Sequence, residues 1–98
     1  MAVPKNIEAK IPVLVFREGS QFIVYSPALD ISTCGDTEGK ARTRFTEAVR
    51  IFLHEVTRMG TLAEVLEECG WSKIPGKQEW CPPAYKTTEE AVSIPVGG

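Results

Sequence analysis

Ninety-eight residues, 43% apolar and 24% charged, suffice for one globular domain with its own core. Eleven Lys and Arg against thirteen Asp and Glu leave a formal net charge of -2, so no overall field attracts nucleic acid, which counts against a generic DNA or RNA binder. No apolar run approaches the roughly 20 residues of a membrane helix, and Ile11 to Phe16 is too short, and broken by Pro12, to act as a secretory segment. A cytoplasmic location is therefore expected.

From Ile7 to Arg17 the chain alternates as a strand, with Ile7, Ala9, Ile11, Val13 and Val15 on one face. Glu8 and Lys10, then Leu14 and Phe16, fall on the other. The second half is thus apolar on both faces, as in a strand that receives cover from both sides. Pro12 has no N–H to give a ladder and places that position at an edge. Glu18-Gly19-Ser20 reverses the chain, and Gln21 to Ser26 returns as a second strand with Phe22 and Val24 opposed to Ile23 and Tyr25. Pro27 ends it. Leu29 to Cys34 forms a third strand around Ile31 and Thr33, completing a three-stranded antiparallel meander.

Gly35-Asp36-Thr37 then opens a long helix running to about Met59. Ala41, Phe45, Ala48, Val49, Phe52, Leu53, Val56 and Met59 gather into one stripe at roughly 100° per residue, wide enough to cover the sheet. Asp36 and Thr37 are both suited to cap its start. Gly60 stops it, and Thr61 with Glu64 has the capping-box spacing for a short second helix to about Glu68. Gly70 ends that helix in turn, leaving Trp71 to fold back on Leu66. From Ser72 the composition turns to Pro, Gly, Lys and Trp, a loop that Trp80 and Tyr85 should anchor. Glu90 to Val96 is expected as a returning strand, with Pro95 at an edge or the strand's end. The fold class is α+β in a single domain over 1–98: a core over about 6–71, then the Pro-rich loop and final strand over about 72–96.

Residues that could carry chemistry are sparse. Cys34, Cys69 and Cys81 make no C-x-x-C pair and His54 is the only histidine, so no zinc site is built; reduced, mostly buried thiols are expected. No phosphate-binding glycine loop occurs. Asp30 and Asp36 flank the third strand and Glu47 lies on the helix, but turn and cap roles account for both aspartates. No catalytic residue, metal or cofactor is assigned. The outer face of the long helix carries Lys40, Arg44, Glu47, Ile51, His54 and Arg58. Ile51 is an apolar residue in a charged stripe, so Arg44, Ile51, His54 and Arg58 are the candidate partner-binding residues.

The run Phe22-Ile23-Val24-Tyr25-Ser26-Pro27-Ala28-Leu29, followed by Gly35-Asp36-Thr37 and a helix containing Glu47-Ala48-Val49, resembles the HicB antitoxin family. Gly60-Thr61-Leu62 and Glu67-Glu68-Cys69-Gly70-Trp71 are similar to segments that follow that helix in its members. The likeness covers about the first two-thirds of the chain. It implies a partial RNase H-like fold and a protein that neutralises a small HicA toxin, an mRNA-cleaving ribonuclease, by occluding its active site. Many members add a DNA-reading domain. Here Leu29 leads into Asp30-Ile31-Ser32 where relatives often have Pro-Gly-Cys, the mark of a divergent subgroup. The tail from Ser72 to Gly98 has only Lys73, Lys77 and Lys86 as basic residues and no pattern for two regular helices, which argues against operator binding.

Three expectations follow: an antitoxin acting by protein contact, a solitary HicB-like oligomeric scaffold or ligand-binding protein, or a residual RNase H-like nuclease using Asp30 and Asp36. Homo-oligomerisation is expected in either of the first two, because Ile51, Trp80 and Tyr85 need cover.

Overall fold

Two antiparallel ladders build the sheet. The computed structural model describes residues 9–77 and 79–97. Strand β1 (Leu14–Glu18) pairs with β2 (Gln21–Ser26) from Leu14↔Tyr25 to Glu18↔Gln21, and β2 pairs with β3 (Ile31–Gly35) from Phe22↔Gly35 to Ser26↔Ile31. The order is β1-β2-β3, leaving β1 and β3 as edges. Gly19, at φ +63, takes the first position of the two-residue turn between β1 and β2, where a hairpin twist requires a positive φ.

The first strand is shorter than its alternation predicts. Residues 7 and 8 lie outside the described region, and Ile11 and Val13 face the core without joining the ladder. The cause lies at Pro12. It has no N–H for pairing, and its carbonyl instead accepts a 2.8 Å hydrogen bond from the buried Ser26 hydroxyl. The same Ser26 oxygen accepts from the Ala28 N–H at 3.2 Å, so this buried polar side chain is satisfied on both counts.

Helix α1 (Glu38–Arg58) lies across the inner face of the sheet. Val24, Ala41 and Phe45 form one core cluster, with Val13, Val15, Phe22 and Ile31 packed around it. Thr37 is the N-cap: its hydroxyl accepts the Lys40 N–H at 3.1 Å. Asp36 sits one residue earlier and acts through its ion pair with Lys40 at 3.2 Å, so it supports the helix start without capping it. At the far end, Gly60 N–H bonds Thr57 O at 3.1 Å and Thr61 N–H bonds Val56 O at 2.9 Å, the paired bonds of a Schellman motif around Gly60 at φ +75. Met59, predicted for the core stripe, is exposed because it stands at the end of the helix.

Helix α2 (Leu62–Glu68) follows. The expected capping box of Thr61 and Glu64 is not formed. The Thr61 N–H, which Glu64 would have to reach, is already bonded to Val56, and the Thr61 hydroxyl turns back to the same carbonyl at 3.4 Å. The second Schellman ending does form as predicted: Gly70 N–H bonds Glu67 O at 3.0 Å and Trp71 N–H bonds Leu66 O at 2.9 Å. Trp71 then joins Leu66, Ala28 and Leu29 in the second core cluster, and its indole donates to the Ala28 carbonyl at 2.8 Å.

Beyond Trp71 the structure departs from expectation. Strands β4 (Ser72–Lys73) and β5 (Trp80–Cys81) make a small ribbon, paired Ser72↔Cys81 and Lys73↔Trp80. Trp80 anchors it on the core as predicted, whereas Tyr85 stays exposed. The returning strand expected at Glu90–Val96 is not formed, since neither edge of the sheet receives it. Val92 and Ile94 are each 75% exposed and Val96 93%. The radius of gyration is 17.2 Å, against about 13 Å for a compact chain of this length.

Candidate partner-binding surface

Helical geometry brings the predicted outer-face residues together. Lys40, Arg44, Glu47, Ile51, His54 and Arg58 are all exposed, on the side of α1 away from the sheet. Ile51, 55% exposed, is the apolar point of that stripe. Arg58 is paired with Glu55, Arg50 with Glu47 at 3.6 Å, and Arg42 with Glu38 at 2.8 Å. Each pair is solvated and contributes at most about 1 kcal/mol to stability, so these charges remain available to rearrange toward a partner. The helix holds five basic and three acidic residues, making it the more basic part of a chain whose net charge is -2.

Arg44 has a role that helical spacing does not reveal. Its Nη1 donates to the Cys34 carbonyl at 2.8 Å, tying the second turn of α1 to the β3 edge. The Thr33 hydroxyl donates to the Ala41 carbonyl at 2.9 Å beside it. Arg44 is thus partly engaged by its own chain, as Arg58 is by Glu55, which leaves Ile51 and His54 as the freer part of the stripe.

The two aspartates do not converge. Asp30 lies in the β2–β3 turn at φ +54, and the Tyr25 hydroxyl donates to its carboxylate at 3.1 Å. That hydrogen bond, with the Asp30 charge, raises the Tyr25 pKa above its ordinary value. Asp36 stands at the other end of β3, where the hydrogen bond and charge of Lys40 hold its carboxyl below the ordinary value. The five residues of β3 separate them, roughly 20 Å of extended chain. A shared metal needs carboxylates within a few ångströms of each other, so Asp30 and Asp36 do not form one site. Among the described residues, no cluster of three His, Cys, Asp or Glu could hold a metal ion.

A second surface was read differently from the sequence. Leu14 and Phe16 point away from α1 and are 50% and 46% exposed, with Ile23 and Tyr25 beside them on β2. The doubly apolar pattern of β1 implied cover on both faces, but none of the described residues supplies the outer cover. Cys34 lies on the same outer face and is exposed, as is Cys81, while Cys69 is half-buried; all three thiols are free, so the expectation of mostly buried cysteines does not hold.

The fold and these surfaces define a small α+β domain with a helix-covered three-stranded meander. Comparison with protein-family models, curated proteins and solved structures finds no match for the chain. Among the described residues no helix is long and apolar enough to cross a membrane.

Proposed function

We propose that this chain is a HicB-like antitoxin that acts by protein contact, occluding a small HicA-type mRNA-cleaving toxin, without chemistry of its own. The observation that supports this reading most is the stripe of Ile51, His54 and Arg58 along α1, an apolar anchor ringed by groups that hydrogen-bond. That helix begins directly after Gly35-Asp36-Thr37 and follows the run Tyr25-Ser26-Pro27-Ala28-Leu29 at the end of β2, the order on which the family likeness rests. Binding through this face needs no DNA contact, and no helix follows Glu68 among the described residues.

The test is co-expression with a small, basic, histidine-containing protein encoded beside this chain. The expected result is co-purification and loss of the neighbour's toxicity. A toxic neighbour that neither co-purifies nor is silenced sinks the reading. The reading of a solitary HicB-like oligomer has its own support in the uncovered Leu14 and Phe16 and the apolar tail. It predicts self-association with no toxin gene adjacent, measured by light scattering and the gene neighbourhood.

A further inference from the structure

We propose that residues 91–96 of one copy add as a strand to the β1 edge of a second copy, reciprocally, forming a two-fold dimer. The proposal deepens the self-association reading above and requires no toxin. It rests on two unsatisfied features of one chain that fit each other. The tail carries Val92, Ile94 and Val96 at alternate positions, the period of a strand, and these are the most exposed large apolar side chains described. The sheet carries Leu14 and Phe16 at alternate positions on its edge strand, about half exposed. Among the described residues, the tail row has no cover and the β1 row is flanked only on its β2 side.

Backbone chemistry selects the edge and the phase. At the β3 edge the Cys34 carbonyl already accepts from Arg44, so α1 itself takes up the middle of that side. The β1 edge has no such cover among the described residues, and an open edge is a template for an added strand. Pro95 lacks an N–H, so it must face away from the ladder. That turns the backbone groups of Val92, Ile94 and Val96 toward β1. The two-residue turn closes on Glu18 and Gln21, so Leu14 and Phe16 bond β2 and Val15 and Arg17 present their backbone groups to the open edge. Added parallel to β1, the three tail residues bond those groups and sit opposite Leu14 and Phe16, with side chains on the same face. The proline then lies on the new outer edge and blocks further addition, which closes the assembly at two copies.

The occupant comes from a second copy because the tail stays off its own sheet. Pro83 lies beside Gly70 at the end of α2, so the tail leaves the body there. Every described residue from Ala84 to Gly97 is nonetheless exposed.

Sedimentation equilibrium on the full chain should give twice the 10.8 kDa chain mass. Ile94→Asp, which puts a charge in the proposed apolar row, should halve that mass with an unchanged far-ultraviolet circular dichroism spectrum. Thr87→Asp, in the tail but outside the strand, should leave the dimer intact. Chains bearing Phe16→Cys and chains bearing Ile94→Cys, each with Cys34, Cys69 and Cys81 replaced by serine, should form a disulfide between copies when mixed and oxidised. A monomeric full chain, a dimer untouched by Ile94→Asp, or a cross-link that forms only within a chain carrying both cysteines would overturn the proposal. None of these results depends on whether a toxin is bound.

Discussion

Gly35→Ala is the sharpest probe of how this fold is joined. A Cβ at Gly35 would lie 2.8 Å from the Ala41 backbone nitrogen, 3.1 Å from Lys40 Cβ and 3.2 Å from the Lys40 carbonyl carbon. The closest of these is backbone, so no side-chain rotation relieves it. The first turn of α1 cannot simply step aside, because Ala41 N–H bonds Thr37 O at 3.0 Å, Thr37 caps Lys40, and Ala41 is wholly buried. Overpacking of this kind costs about 1–3 kcal/mol. If the shift also breaks the 2.9 Å bond from Thr33 to the Ala41 carbonyl, roughly 1 kcal/mol more is lost. A net loss of about 2–3 kcal/mol corresponds to a fall in Tm of roughly 10–20 °C for a domain of this size. Gly39→Ala is the matched control. It lies in the first turn of the same helix, its Cβ would meet nothing within 4 Å, and it should gain up to about 1 kcal/mol from helix propensity. Thermal and urea unfolding followed by circular dichroism measure both. Equal and small shifts for the two variants, or a Gly35→Ala loss below about 0.5 kcal/mol, would refute the reasoning.

Trp71→Phe keeps most of the ring but removes the donor to the buried Ala28 carbonyl, and should cost about 1–3 kcal/mol in urea unfolding. Tyr25 is held in its neutral form by donating to Asp30, so its folded pKa lies above the ordinary 10.0. Its contribution to stability is therefore complete below pH 10.0 and is lost as pH rises through the folded value. Tyr25→Phe should remove that alkaline limb from a pH series of urea unfolding curves, and an unchanged limb would assign it elsewhere. Ile51→Asp should leave stability within about 0.5 kcal/mol, since the residue is exposed, and under the antitoxin proposal it should weaken binding of the co-expressed neighbour at least about tenfold by titration calorimetry. Unaltered affinity would refute the assignment of the proposed contact to this face.

The legible parts of the fold were those set by local rules. Phe22 and Val24 alternate against Ile23 and Tyr25, and β2 appears at Gln21–Ser26, the predicted limits. The 3.6-residue stripe fixed the covering face of α1, and its complement located Ile51, His54 and Arg58 on the exposed side. Both glycine endings were readable because a positive φ after a helix favours glycine strongly. The misreadings share one cause. Thr61 and Glu64 have capping-box spacing, but a neighbouring helix had already claimed the Thr61 N–H through Val56. Glu90–Val96 has the alternation of a strand, but a strand also needs an edge to bond, and alternation says nothing of where that edge is.

By itself, the sequence determined the α+β class, the meander, the two helices and which face of α1 is apolar, because period, caps and turn residues act over a few positions. Only the tertiary structure decided that Gly35 is pressed against Ala41 and that Arg44 reaches the Cys34 carbonyl. It also decided that, among the described residues, nothing covers the outer row of β1 or the apolar tail. Those outcomes depend on distances between segments remote in sequence, and the free energy of close approach is set in space, where no local pattern records it.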